Sequence, residues 1–229
     1  MKKYLDNINF PSDLRKFEKK DLPLEIPIFP LSNAIFFPKT LLPLNIFEPR
    51  YKQMTEHALN GDNFIGMIQS TEKVNSDGKP ETYKVGCLGY IEYHSSTPDG
   101  RYLINLKGVS RFKIKKEIVT QNLYRTFEVG YDEYSDDLIN DPKIDLNTVD
   151  LIEKTKKFFS KHQLATDWTI MEKVEPAQLI NSLSMICPFT ISEKQRLLET
   201  MTINERNLIL NQIISFYILG NNEENRNIH

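Results

Sequence analysis

Four histidines, two cysteines and many serine, lysine and carboxylate side chains are the groups of this 229-residue chain able to carry chemistry. His57, His94, His162 and His229 form no His-x-x-x-His pair, and none has a cysteine at zinc-ligand spacing. They read as surface or helix-face histidines, and no metal site is expected. Cys87 lies in an apolar, strand-like run and Cys187 precedes Pro188 at the end of an apolar helix. Both read as buried free thiols, which suits a reducing cytoplasm. A Gly-x-x-x-x-Gly-Lys-[Ser/Thr] phosphate loop is absent, because Gly78-Lys79 is followed by Pro80 and lies in no strand-to-helix context. Nucleotide hydrolysis and a bound cofactor are therefore not expected. No Gly-x-Ser-x-Gly elbow marks a serine nucleophile, although a Ser–Lys pair assembled in three dimensions stays open. The side-chain inventory points away from an enzyme.

Two features could instead bind. Lys107, Arg111, Lys113 and Lys115 share one parity of a strand, and a basic strand face can contact phosphates. Against RNA stand 31 acidic residues to 29 basic ones and the absence of interleaved aromatics for base stacking. A solvated face is the favoured reading and nucleic acid the alternative. The second feature is apolar. Ile35, Phe36, Phe37, Leu41 and Leu42 flank Pro38, and five large apolar residues around one turn do not all point inward easily. If they form a contiguous exposed patch, it is a site for polypeptide. If they enter a β core, the patch does not exist.

The elements that must position these residues divide in two. Residues 1–24 are polar and read as a lead-in segment, with a short helix around Ser12 to Lys20. From Ile26 to Tyr51 large apolar residues alternate with Pro27, Pro30, Pro38, Pro43 and Pro49, so only short strands and turns fit. A helix follows from Arg50 to Leu59, then a strand from Phe64 to Gln69 and a loop over Thr71–Glu81. Further strands cover Val85–Tyr93, Arg101–Lys115 with a bulge at Gly108, and Leu123–Tyr131, the first two joined by the Pro98-Asp99-Gly100 turn. Tyr131 to Glu153 is acidic and reads as a solvated joint. Beyond it the period is helical: Leu151, Ile152, Phe158 and Phe159 mark one helix, Pro176 starts a second, and Leu210, Ile213, Ile214 and Tyr217 stripe the last. Ser192 with Gln195, and Thr202 with Glu205, have capping-box spacing. The expected division is a β-rich part over 25–133, a helical part over 134–219 and a disordered tail over 220–229. No run approaches the length of a membrane helix and no signal peptide is evident, so no membrane association and a cytoplasmic location are expected.

Phe29-Pro30-Leu31, Phe37-Pro38 and Leu42-Pro43-Leu44-Asn45-Ile46-Phe47-Glu48-Pro49-Arg50-Tyr51 together resemble the opening of the Lon protease N-terminal (substrate-binding) domain family. Three later segments continue the resemblance in order. They are Val85-Gly86-Cys87-Leu88-Gly89-Tyr90-Ile91, then Pro98-Asp99-Gly100 with Val109-Ser110-Arg111-Phe112-Lys113-Ile114, and finally Glu193-Lys194-Gln195-Arg196-Leu197-Leu198-Glu199 with Asn204-Glu205-Arg206. Lys39 departs from the family, which commonly carries Gly after Phe-Pro. The resemblance implies an α+β chain, with an N-terminal PUA-like β pseudobarrel subdomain followed by a C-terminal α-helical bundle. It also implies unfolded or exposed polypeptide segments as partners, with a protease or chaperone as a further partner and quality control as the setting. The ATPase and Ser-Lys proteolytic modules of a full Lon protease do not fit in this length, so a stand-alone, non-enzymatic module is expected.

Overall fold

The computed structural model describes residues 3–4, 16–31, 34–74, 78, 80–139 and 148–220. In chain order the strands and the first helix are β1 (Lys3–Tyr4), β2 (Glu25–Leu31), β3 (Leu41–Ile46), α1 (Pro49–Leu59), β4 (Phe64–Val74), β5 (Pro80–Thr82), β6 (Val85–Ser96), β7 (Tyr102–Ile118) and β8 (Arg125–Gly130). A 3-10 segment, Asp132–Leu138, leads to the second half. There follow α2 (Val149–Lys161), β9 (Leu164–Ala165), α3 (Trp168–Met171), α4 (Pro176–Ile186), α5 (Ile191–Glu199) and α6 (Ile203–Leu219). The expected mixed architecture of helix and sheet is present, with α1 set among the first eight strands and β9 among the later helices.

Pro27 and Pro30 do sit in a strand, and that strand changes partner between them. The start of β2 runs antiparallel to β8, with Pro27 opposite Thr126, and its end runs parallel to β4, with Pro30 opposite Ile68. Strands β8, β7, β6 and β4 are antiparallel neighbours in that order, so the double pairing of β2 closes a ring of five. A proline has no N–H to donate to a ladder, and a strand that trades one neighbour for another midway tolerates that loss. Strand β3 pairs with β7 beside the ring, and β5 pairs with β4. The described part of the expected Thr71–Glu81 loop is thus largely this last strand pair.

Three apolar cores result. Ile26, Ile28, Leu88, Phe112, Phe127 and Val129 fill the ring. Gly86 is needed there, because a Cβ on it would lie 2.6 Å from the Phe112 ring. Outside the ring, Tyr51, Met54 and Ala58 of α1 cover Phe29, Ile65, Met67 and Leu106. The third core joins Leu151, Phe158, Leu183, Leu197 and Leu210 of the helices to Val85 of the sheet. Pro49 opens α1 and Pro176 opens α4, each within the first turn, where a missing N–H costs nothing.

The cap of α5 is Thr190, whose hydroxyl accepts from Glu193 N while Glu193 returns a bond to Thr190 N; the expected Ser192 pairing is displaced by two residues. Thr202 caps α6 as expected, accepting from Glu205 N, but the Glu205 carboxylate accepts from Met201 N. Of the lead-in helix, only a 3-10 turn at Lys19–Asp21 falls among the described residues. Residues 12–15 and the tail over 221–229 lie outside them. Among the described residues no helix is long and apolar enough to cross a membrane.

Candidate functional site

The patch expected around Pro38 is not on the surface. Ile35, Phe36 and Phe37 are 3%, 2% and 0% exposed. The expectation assumed a single β core, which a short segment can reach from one side only. Here the segment runs between two cores: Ile35 and Phe37 enter the helical one, and Phe36 enters the layer under α1, against Gly89. Leu41 and Leu42 in β3 are half-buried, and Leu42 packs on the α1 layer.

The basic strand face is corrected as well. Lys107 and Arg111 are 3% and 2% exposed. The middle of β7, Leu106 to Phe112, is buried on both sides, because the ring lies on one face and the helices and the 3-10 segment cover the other. Parity also fails across the bulge: Val109 is the extra residue between the Gly108–Gly89 and Ser110–Leu88 pairs, so Leu106 packs in the α1 layer and Phe112 in the ring, and Lys107 and Arg111 take opposite faces. Lys113 and Lys115 are exposed and face carboxylates, Glu133 at 2.7 Å and Glu128 at 3.7 Å. No row of cations is offered to a phosphate backbone.

What these residues build instead is a cleft of about 190 Å³ where sheet and helices meet. Pro38 and Lys39 form one wall, Asp136 and Ile139 another, and the first turns of α4 and α6, at Ala177 and Ile203, the rest. Arg111 and Arg206 lie at its base. The Pro38 turn is held by paired amides, Lys39 N donating to Gly108 O and Gly108 N donating to Thr40 O, both at 2.9 Å. A Cβ on Gly108 would collide with the Phe37 carbonyl, so the bulge position of β7 admits only glycine. Lys39 itself has φ +62°, the left-handed region that suits the family's glycine, and its Nζ donates to Ile139 O across the mouth.

Arg111 joins three elements. Its guanidinium grips Asp137 through Nε and Nη2, both at 2.9 Å, stacks over Tyr134 at 4.3 Å, and donates through Nη1 to Leu198 O and Thr200 O at the end of α5. A cation at a helix C-terminus meets carbonyls that the helix leaves unpaired. Arg206 serves the same turn from α6. Its Nε donates to Leu197 O and its Nη1 to Asn181 Oδ1, while the Asn181 amide donates to Pro38 O. The guanidinium lies 5.0 Å over the Phe37 ring.

Burial, with Arg111 beside it, lowers Arg206 from the usual arginine value to about 9, which leaves it charged at neutral pH. It is 2% exposed, its Nη2 has no acceptor, and no ion pair reaches it among the described residues. The sequence names Arg206 only within the family-like run Asn204-Glu205-Arg206 and not as a site residue, although it stands four residues before Leu210 and seven before Ile213, on the buried stripe of α6. Ile139 and Met201 are apolar, each 50% exposed, and both line the cleft. Among the described residues no three His, Cys, Asp or Glu side chains converge on a metal-sized space.

Comparison with known proteins shows what the chain is similar to. Residues 25–215 match the family described as the ATP-dependent protease La (LON) substrate-binding domain. Lon protease of Dictyoglomus thermophilum is 23% identical over 189 residues, covering 82% of this chain and 24% of that protein. Lon protease of Flavobacterium johnsoniae is 26% identical, covering 86% and 25%. The chain thus spans about a quarter of the length of the curated relatives it matches. Two solved structures share the fold. The N-terminal domain of Mycobacterium avium complex Lon protease has a TM-score of 0.58 at 15% identity, covering 83% of this chain and 98% of that one. A Lon N-terminal domain protein from Xanthomonas campestris has a TM-score of 0.56 at 20% identity, covering 84% and 98%.

Proposed function

Because this chain belongs to the ATP-dependent protease La (LON) substrate-binding domain family, we propose that it is a recognition module for unfolded or exposed polypeptide segments, without catalytic chemistry of its own. The cleft between sheet and helices is the site. The observation that carries this reading is the pair Ile139 and Met201, two large apolar side chains left half in water at the rim of a preformed cleft. Apolar rims over a shaped recess gain from covering by another chain, whereas isolated apolar residues on a convex surface need no explanation. Leu41 and Leu42 of β3, two and three residues past Lys39 and outside the lining of the cleft, are half-buried contacts for the part of a longer segment that runs out of it; Ile35, Phe36 and Phe37 act behind the wall, fixing it in place. The closed strand ring corresponds on this reading to the PUA-like pseudobarrel, the helical half to the family's bundle, and the acidic joint near 133–134 to the boundary between them. An adaptor role in cytoplasmic protein quality control, handing clients to a protease or chaperone, is the natural extension.

The test is capture of a fluorescent, permanently unfolded polypeptide by the full chain across a salt series. Apolar capture persists as salt rises, whereas a phosphate-type electrostatic contact weakens steeply. Met201→Ser and Ile139→Ser are each expected to cost about 1 kcal/mol of binding, half the worth of burying such a side chain fully, with the melting temperature unchanged. Absence of capture, or capture indifferent to both substitutions, refutes the assignment.

A further inference from the structure

Among the described residues the lining of the cleft carries more positive than negative charge. Lys39, Arg111 and Arg206 line it against Asp136 and Asp137, which leaves a net charge of one positive unit among these five. Asp137 is committed to Arg111, accepting from Nε, from Nη2 and from the Arg111 backbone N at 2.8 Å. Asp136 is exposed at the rim. The buried Arg206 guanidinium therefore lacks an ion partner among the described residues, and its Nη2, covered from bulk water, lacks any acceptor. A buried charged donor left unmade is costly, and native proteins rarely retain one without use.

The surroundings favour an anion there. Both α4, 11 residues long, and α6, 17 residues long, begin at the cleft, so the positive ends of two helix dipoles converge on it. The Thr202 hydroxyl takes the third amide of α6, Glu205 N, while Ile203 and Asn204, which carry the first two, line the cleft. Pro38, Ile139, Ala177 and Met201 supply the apolar part of the walls, beside the polar Asn181.

Resting on the cleft as the polypeptide site, we propose that it captures the C-terminal carboxylate of a client chain, Arg206 Nη2 and the first amides of α6 donating to the carboxylate while Ile139 and Met201 cover an apolar last side chain. Size and connectivity choose the occupant. About 190 Å³ is a little more than the ~150 Å³ cavity that holds benzene and below the ~300–1,000 Å³ of small-molecule pockets. One residue fits, and a nucleotide does not. A chain end needs a single exit from such a recess, whereas an internal Asp or Glu needs two. Capture of a terminal carboxylate by backbone amides is a recurring mode of peptide recognition.

The experiment uses the 15N-labelled full chain and pairs of N-acetylated pentapeptides ending in leucine, as free acid or as amide. The free acid is expected to shift the amides of Ile203 and Asn204 and the Arg206 Nε–H saturably, and the amide to bind roughly ten- to a hundredfold more weakly. Ala177→Trp, which fills the cleft from the first turn of α4, is expected to abolish the free-acid shifts while the rest of the spectrum stays folded. Arg206→Lys keeps the charge but not the fork, and is expected to weaken free-acid binding while bringing acid and amide closer together. Equal binding of acid and amide overturns the proposal. So does equal binding of an amidated peptide with an internal glutamate, or inorganic phosphate matching the free acid. If acid and amide bind alike while unfolded polypeptide is still captured, only the carboxylate assignment falls. If free acid shifts these amides but unfolded polypeptide is not captured, the polypeptide-segment reading falls and the anion site stands.

Discussion

Removing Arg111 tests whether the two halves stand or fall together. Its side chain is 3% exposed and that of Asp137 is 9% exposed. Arg111→Met keeps most of the volume but leaves the Asp137 carboxylate with a single protein donor among those described, the Arg111 backbone N–H. Leu198 O and Thr200 O lose the guanidinium, and the stacking on Tyr134 goes too. Breaking a buried pair by removing one partner costs about 3–5 kcal/mol. The lost carbonyl bonds are not added in full, because water reaches the end of α5 once the guanidinium has gone. A loss near 4 kcal/mol is expected, a large share of the ~5–15 kcal/mol that domains possess. The double variant Arg111→Met/Asp137→Leu removes the stranded charge and is expected to recover at least about 2 kcal/mol relative to the sum of the single changes. Urea unfolding followed by circular dichroism and by the lone tryptophan, Trp168, in the helical half measures both. Coincident transitions are expected in the parent, since Phe37 and Val85 of the sheet part belong to the helical core. A cost below about 1 kcal/mol for Arg111→Met, or strictly additive changes in the double variant, would refute the clamp.

Phe37→Ala should cost about 3–5 kcal/mol by leaving a void at a fully buried ring, while Leu41→Ser, half-exposed in β3, should cost far less; thermal melts that rank the two the other way contradict the buried wedge. Gly108→Ala forces the Pro38 turn outward and breaks its two amide pairings, with an expected loss of about 2–4 kcal/mol and weakened binding at the cleft; an unchanged melting temperature would show that the turn yields freely. In the Thr97–Arg101 turn, the Thr97 hydroxyl and then Arg101 hold Asp99 down at about 2. The stabilising effect of that ionised carboxylate is present above the ordinary value of ~3.9 and is lost as pH falls towards about 2. A carboxyl NMR titration should find this low midpoint, and Thr97→Ala should raise it; an unmoved midpoint would remove the hydroxyl from the explanation.

The sequence carried the local rules well. Pro176 placed a helix start, the alternation along Tyr102, Ile104 and Leu106 located a strand, and Thr202 with Glu205 located a cap, whereas Pro27, Pro30 and Pro43 lie inside strands and marked no boundary. What escaped were consequences of one half covering the other. Lys107 and Arg111 share a parity but not a face, because the bulge at Gly108–Val109 inverts the alternation, and the face that Arg111 takes is an interior only because the helical half and the 3-10 segment cover it. Ile35, Phe36 and Phe37 looked too numerous for one core because a second core exists, whose helical members begin only at Leu151. Arg206 was legible in principle, being an arginine on an apolar stripe, but its missing counter-ion is a fact of three dimensions.

The doubly paired strand β2 has a consequence for how the chain comes to be folded. Its antiparallel partner is roughly 100 residues away, with Glu25 opposite Glu128. During synthesis the first half of β2, with the ring residue Ile26, emerges early and must wait, apolar and unzipped, until β8 has followed, whereas Phe29 meets Met67 of β4 far sooner. Pairings of such long reach slow the search for the native state and leave intermediates open to association. The two prolines in the waiting strand interrupt its hydrogen-bonding edge, so a second nascent copy finds a poor template for intermolecular sheet growth. Pro27 and Pro30 thereby guard the chain through its slowest interval, before any cleft exists to be filled.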